Sequence, residues 1–368
     1  MANIGIDARL IQYRIGGISS YTLALLRALA DIPSPHSITA FTGRKNKAYP
    51  TLPVNTQKLW TPPHHTIERL SLSLELMPHR LDIFHATDFI PPQFGAKNHV
   101  ATIHDLTFLH FPKHKDRAGQ RYYIDQIEYA VKHATHLLAV SEATKSDLMN
   151  LLSVPEKSIT VQPHGVEKRF HPVPDHQKQI RRKDLKLPDN YILFVGTLEP
   201  RKNIPCLLDA YQRLPQTLSK HCTLLLVGQS GWLFEDTQQQ INQLQSNGVD
   251  IQVRHDINDD DLPAVYALAE ALVLPSLYEG FGMPIIEAMA CGTPVIASDN
   301  SSLPEVAGNA GLLFESDNAL DLADKLEFAL TNQQWRETAI KNGIAHASTF
   351  TWERSAKTAL SVYSSISA

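Results

Sequence analysis

The stretch 271-ALVLPSLYEGFGMPIIEAMACGTPVIASD-299 decides the fold. A short apolar run opens it, a glycine turn follows, and a second apolar run, PVIASD, closes it. Between them, Pro284 suits the first position of a helix and Gly292 suits its end. Strand, turn, helix and strand in this order make one unit of a parallel sheet. Two acids, Glu279 and Glu287, flank Gly-Phe-Gly. The N–H groups of Gly282, Met283 and Ile285 are expected to point out of the helix N-terminus, where an anion is favoured. Carboxylates do not bind phosphate; they accept hydrogen bonds, and two carboxylate oxygens fit a vicinal diol. The turn therefore calls for a ligand with both phosphate and hydroxyl pairs, and a nucleotide sugar has both.

Similar apolar runs recur through the chain. In the first half they are 3-NIGIDARL, 38-ITAFTG, 82-DIFHAT, 99-HVATIHDL, 136-HLLAVSE and 158-SITVQPHG. In the second they are 191-YILFVGTL, 223-TLLLVGQ, 251-IQVRHDI, 271-ALVLPSL, 294-PVIASD and 311-GLLFE. Runs this short and this apolar suit strands buried on both faces, as in parallel sheets covered by helices. Helical patterns lie between many of them, among them 20-SYTLALLRALA, 121-RYYIDQIEYAVKHA, 203-NIPCLLDAYQRL, 261-DLPAVYALAEA with Asp259 to Asp261 as cap candidates, and 318-NALDLADKLEFALTN. The polar, proline-containing stretch 171-HPVPDHQKQIRRKDLKLPDN interrupts the pattern and reads as a linker. The expectation is an α/β protein of two doubly wound, Rossmann-like parallel-sheet domains, 1–170 and 171–349.

The composition narrows the function classes. Of 368 residues, 43% are hydrophobic and 20% charged. Mean hydropathy is −0.19 and no apolar run approaches a membrane span. MANIGIDARL lacks the layout of a signal peptide and reads directly as a strand. Cys206, Cys222 and Cys291 are neither an even set nor at metal-ligand spacing, so a reducing cytoplasm is expected. A net charge of −4 argues against nucleic-acid binding. The charge is unevenly spread: residues 1–170 hold 19 Lys and Arg against 14 Asp and Glu, the rest 15 against 24. An anionic partner for the first half and chance scatter both fit that asymmetry.

Open α/β sheets bind ligands beyond the carboxyl ends of their strands. Three more strand ends carry candidates. Gly16-Gly17 follows the first strand and opens a helix, as a phosphate loop or as a plain turn; it is not the G-x-G-x-x-G dinucleotide fingerprint. His104-Asp105 ends an apolar strand, where the histidine could meet a substrate hydroxyl or hold a backbone carbonyl. Arg201-Lys202 sits at a strand–helix junction, where a forked guanidinium and an ammonium suit a diphosphate. The cluster Lys113, His114, Lys115, Arg117 and Arg121 reads either as a contact for an anionic membrane face or as a solvated loop.

With these residues assembled, the chain resembles the group 1 (family 4) retaining glycosyltransferases of GT-B fold. Glu279-x7-Glu287 in EGFGMPIIEAMACGTPVIASD resembles that family's signature. IGIDARL with its Gly-Gly loop, IHDLTFLHFP, 140-VSEATKSDL, 163-PHGV, 195-VGTLEPRKN, 303-LPEVAGNAGLLF and the tail 349-TFTWERSAKTALSVYSSI are similar to further family segments. VGTLEPRKN resembles the bacterial polysaccharide mannosyltransferase branch. The resemblance implies two domains facing across a cleft, with a C-terminal helix over 350–368 crossing back to the first. It implies a hexose, mannose on that wording, moved from a nucleotide-diphosphate sugar to a glycan or lipid-linked acceptor, with GDP-mannose as donor and UDP-sugars next, and no cofactor or metal. Glu287 would bind the ribose hydroxyls and Glu279 the transferred sugar. Gly280, Phe281, Gly282 and Met283 would meet the sugar, and following N–H groups such as that of Ile285 the distal phosphate. Arg201 and Lys202 would neutralise the leaving diphosphate, Gly16-Gly17 would close on it, His104 would touch the sugar near its reacting carbon, and 254-RHDI would lie near the base. Many relatives carry Arg where this chain has Thr197, which leaves more of the charge to Arg201 and Lys202. A location in the cytoplasm, with peripheral contact at the inner membrane face, would follow. A nicotinamide-linked dehydrogenase, an epimerase or phosphorylase of the same fold, and a silent nucleotide-sugar-binding protein are the rival readings.

Overall fold

The computed structural model describes residues 1–12, 16–44, 51–112 and 117–367. The chain forms two compact units, Met1–Gly165 with Thr351–Ala368, and Val166–Phe350.

The described residues of the first unit form seven strands: β1 Asn3–Asp7, β2 Ser37–Gly43, β3 Asn55–Leu59, β4 Leu81–Ala86, β5 Ala96–Ile103, β6 His136–Ala139 and β7 Ile159–Val161. Their order is β3-β2-β1-β4-β5-β6-β7, every neighbouring pair parallel. The order reverses between β1 and β4, the switch point where such sheets take ligands. The second unit repeats the plan with β8 Tyr191–Val195, β9 Thr223–Val227, β10 Ile251–Arg254, β11 Ala271–Leu274, β12 Val295–Ser298 and β13 Leu312–Phe314, in the order β10-β9-β8-β11-β12-β13. Its strands are parallel throughout and its switch point lies between β8 and β11.

Twelve of the thirteen strands overlap the apolar runs read from the sequence. The exception is β3, where only Leu59 is buried. An edge strand exposes most of its side chains, so NTQKL carries no apolar signal. The stretch read as a linker carries a helix, Asp175–Asp184, with no buried residue. Asp261 stands at the N-cap of the helix Leu262–Ala267 without a side-chain cap bond; its carboxylate takes Arg181 instead, at 3.0 Å.

The helix Trp352–Ile366 packs into the first unit, as the resemblance implied. Ala356, Ala359, Val362 and Tyr363 join the core formed by β1 residues Ile4 and Ile6 and by Leu25 and Leu29 of the helix Gly17–Asp31. A buried polar chain fixes it. Tyr363 Oη lies 2.6 Å from His85 Nδ1, and His85 Nε2 lies 2.7 Å from Thr102 Oγ1. Tyr21 Oη is 3.0 Å from Thr102 Oγ1 and donates to Gln162 Oε1 at 2.8 Å. Gln162 Nε2 then donates to the Ser355 carbonyl at 3.0 Å. Burial pushes the His85 imidazole down to about 3, so the ring is neutral and both nitrogens serve the network.

Candidate functional site

In the second unit, the chain leaves β8 through Gly196, at φ +156°, and β9 through Gly228, at φ +154°. A Cβ on Gly228 would stand 1.9 Å from the Gly196 carbonyl oxygen, so the two strand ends close together only as glycines. The β8 exit then makes a short 3-10 turn, Pro200–Lys202, which sets Arg201 and Lys202 side by side. The Leu277 N–H donates to the Arg201 carbonyl at 2.8 Å, stitching this turn to the loop after β11.

That stitch brings Glu279 between the two cations. Arg201 Nη1 donates to Glu279 Oε2 at 2.7 Å and Lys202 Nζ donates to Oε1. Ser276 Oγ donates to Oε1 at 2.7 Å. Burial alone would push this carboxyl up; Arg201 and Lys202 outweigh it and hold the group down to about 2. Burial pulls the Lys202 ammonium below its ordinary value against the pull of Glu279. Arg201 is held further by Glu199 Oε1, 2.7 Å from Nε, and Glu199 Oε2 in turn accepts from Trp232 Nε1 at 3.0 Å. Two cations thus converge on one carboxylate at the carboxyl ends of the central strands β8 and β11, ready to share with an anion.

The helix Met283–Ala290 starts beside them. Gly282 is its N-cap at φ +109°, a conformation that disfavours any side chain, and a Cβ there would meet Leu303 Cδ2 at 2.9 Å. Ser302 Oγ lies 2.9 Å from the Glu279 carbonyl and 2.7 Å from that of Phe281, and Ser301 Oγ accepts the Glu279 N–H at 2.9 Å, so the turn is tied from the loop after β12. Helical geometry begins at Met283, which puts Pro284 second in the helix rather than first. The Ile285 N–H donates to the Gly282 carbonyl at 3.0 Å, so it is spent within the helix's own first turn.

Glu287 lies one turn further along this helix, half-buried. Burial pushes its carboxyl up to about 7, against Tyr266 Oη, which donates to Oε2 at 2.9 Å, and the nearby Arg169. Tyr266 itself is pushed well above its ordinary value, by burial first and then by that carboxylate. Arg254 of 254-RHDI is engaged by Asp256 at 2.6 Å and by the Leu185 carbonyl at 3.1 Å.

In the first unit, His104 follows β5. Its Nε2 donates to the Thr87 carbonyl at 2.9 Å, which leaves Nδ1 as the acceptor atom of a neutral ring. Burial pulls it below its ordinary value, with Asp88 opposing. Tyr21 meets it edge-on at 4.8 Å and His164 stacks on it at 5.5 Å between centroids. Gly16 is the N-cap of the helix Gly17–Asp31, and among the described residues nothing lies within 4 Å of a Cβ built on Gly16 or Gly17. Of the basic cluster, Lys113, His114 and Lys115 lie outside the described residues; Arg121 is exposed on the helix Arg117–His133.

The structure therefore gathers Arg201, Lys202, Glu279 and the Gly280–Met283 turn into one group, with Glu287 on the adjoining helix. His104 and Gly16-Gly17 belong to the other unit. Sequence reasoning missed Glu199, Ser276, Ser301, Ser302 and Tyr266. Glu199, Ser276 and Tyr266 stood inside motifs or helical segments already read from the sequence; Ser301 and Ser302 approach only through the fold.

Comparison with known proteins bears on the family and the fold. Glycosyl transferases group 1 matches residues 175–346, and Glycosyltransferase Family 4 matches 15–170. O-antigen chain mannosyltransferase B of Escherichia coli is 29% identical over 371 residues, 96% of this chain and 97% of that one. Among solved structures, sucrose-phosphate synthase of Thermosynechococcus elongatus superposes with a TM-score of 0.79 at 22% identity, covering 100% of this chain and 99% of that one. Anabaena HepE in complex with UDP-glucose superposes with 0.77 at 18% identity, covering 99% and 100%.

Proposed function

The chain belongs to the group 1 and family 4 glycosyltransferases, and on that premise we propose that it moves mannose from GDP-mannose to a hydroxyl of a glycan or lipid-linked acceptor, with retention and without a metal ion. The observation that carries this reading is the convergence of Arg201 and Lys202 on Glu279 beside the N-terminus of the helix Met283–Ala290. The similarity to an O-antigen mannosyltransferase over nearly the full length supports mannose as the sugar.

The roles follow from the charges. Breaking the anomeric C–O bond leaves a nucleoside diphosphate, and stabilising that growing charge is the largest catalytic contribution such a site can make. Arg201 and Lys202 supply it, turning from Glu279 toward the leaving oxygens while Glu279 takes hydroxyls of the transferred sugar. The Gly282 and Met283 backbone adds the positive end of the helix. Glu287, once ionised, accepts from the ribose hydroxyls. Neutral His104 offers Nδ1 to a sugar hydroxyl. The acceptor oxygen attacks from the face the diphosphate leaves, its proton passing to a departing phosphate oxygen as the new C–O bond forms. Side-chain cations fill the place a divalent ion would take. We place this chemistry in the cytoplasm; among the described residues no helix is long and apolar enough to cross a membrane.

The test is a transfer assay with GDP-, UDP- and ADP-sugars in excess chelator, with the anomeric configuration of the product read by NMR. Transfer from GDP-mannose giving an α-linked product from the α-linked donor is expected. A β-linked product would overturn retention, loss of rate in chelator would overturn metal independence, and binding of donor without transfer to any glycan would leave a silent binding protein.

A further inference from the structure

The helix Glu68–Leu76 of the first unit carries two opposite stripes. Leu72 and Leu76 are fully buried in the core with Phe41, Phe84 and Leu106. Ile67, Leu70, Leu74 and Met77 leave half or more of their surface in water. At about 100° per residue these four fall within an arc of about 80°, facing away from the buried pair. Two aromatics widen the stripe. Trp60, 71% exposed, is held beside the last turn by its N–H on Glu75 Oε2 at 2.5 Å. Phe94 is held on the other flank by its N–H on Ser73 Oγ at 3.0 Å.

The charges around the stripe are sorted. Both carboxylates of the helix turn inward: Glu68 takes the buried Arg9 guanidinium and the His64 N–H, each at 2.5 Å, and Glu75 takes the Thr61 N–H at 2.8 Å as well as that of Trp60. Arg69 is paired with Asp125 at 2.5 Å. What is left at the rim is cationic. Arg44 lies over the Trp60 ring, its Cζ 3.2 Å from the centroid, and Lys58 and Arg80 are exposed. None of these three meets a carboxylate among the described residues.

We propose that this face, with Trp60, Ile67, Leu70, Leu74, Met77 and Phe94 at its centre, docks the enzyme on an anionic lipid bilayer. An apolar stripe with a tryptophan at its margin and cations around it is the arrangement that lies in the headgroup region of a membrane. A second copy of this chain would bring the same cations against the rim, and an anionic surface complements them. The wider excess of Lys and Arg in residues 1–170 acts in the same direction. The face differs from the 113–121 cluster and needs no particular donor sugar.

The experiment is flotation of the full chain with vesicles of phosphatidylglycerol and phosphatidylethanolamine, and with vesicles of phosphatidylcholine alone. The wild type is expected to float with the first and far less with the second. Leu70→Ser/Leu74→Ser/Met77→Ser is expected to lower partitioning about tenfold or more, and Arg44→Glu/Arg80→Glu to remove the preference for the anionic lipid. Both variants are expected to keep the wild-type melting temperature and the transfer rate to a water-soluble acceptor. Failure of the wild type to float, or equal flotation of the serine variant, would overturn the proposal. So would a dimer in sedimentation that the serine variant dissociates while no vesicle binds, which would assign the face to a second copy.

Discussion

Replacing Glu287 by glutamine separates the cost of its carboxylate from its use. The folded protein pushes this carboxyl from its ordinary 4.5 up to about 7. A carboxyl whose folded pKa lies above its unfolded one binds its proton more tightly when folded. Its contribution to stability is therefore full below about 4.5 and is lost as pH rises through about 7. The displacement corresponds to roughly 3 kcal/mol, and partial exposure of the side chain discounts it to about 2 kcal/mol. Glu287→Gln mimics the protonated state at every pH. Its melting temperature should match wild type at pH 4.5 and exceed it by about 4–8 °C at pH 8. Donor binding should run the other way. Ribose hydroxyls need the ionised acceptor, so wild-type affinity for the donor nucleotide should rise between pH 6 and pH 8, whereas the variant should bind weakly at both. The assay is thermal unfolding of both proteins from pH 4.5 to 8.5, with and without GDP and GDP-mannose. Parallel melting curves across that range would refute the assignment of a raised pKa to this residue. Unchanged nucleotide binding in the variant would refute its role at the ribose.

Three further outcomes follow from the same geometry. Arg201→Ala should lower kcat by about 10²–10³-fold with a smaller effect on donor KM, measured by steady-state transfer; equal kcat would remove it from the leaving-group site. Glu279→Ala leaves the buried Lys202 ammonium without its carboxylate and should cost about 3–5 kcal/mol in denaturant unfolding, whereas Lys202→Met/Glu279→Met should recover most of that loss. Gly282→Ala forces a side chain into φ +109° against Leu303 and should cost about 1–3 kcal/mol while weakening nucleotide binding, which calorimetric titration of GDP would report.

The sequence made the sheets legible because a parallel strand buried on both faces has to be apolar. The unread strand, β3, shows the rule from the other side: at the sheet edge its side chains face water and the pattern vanishes. The second-unit site was legible for a local reason. Arg201-Lys202 and Glu279-Gly-Phe-Gly each sit at the carboxyl end of a strand, and β8 and β11 are neighbours at the switch point, so two separate motifs had to meet. What the sequence could not show is the state of charge. Glu279 and Glu287 look equivalent in a string, eight residues apart. One lies between two cations and is held down to about 2; the other lies against a tyrosine and burial pushes it up to about 7. The difference is set by Arg201 and Lys202, more than seventy residues upstream, and by the burial of Glu287, which the hydrogen bond from Tyr266 on the helix before β11 only partly offsets. The serines behind the turn were invisible for the same reason: Ser301 and Ser302 reach Glu279 and Phe281 only because β12 returns parallel to β11. A signature of two glutamates therefore carries two chemistries. One stays ionised and opposed to cations that a diphosphate can claim; the other becomes an acceptor only as it gives up its proton near neutrality.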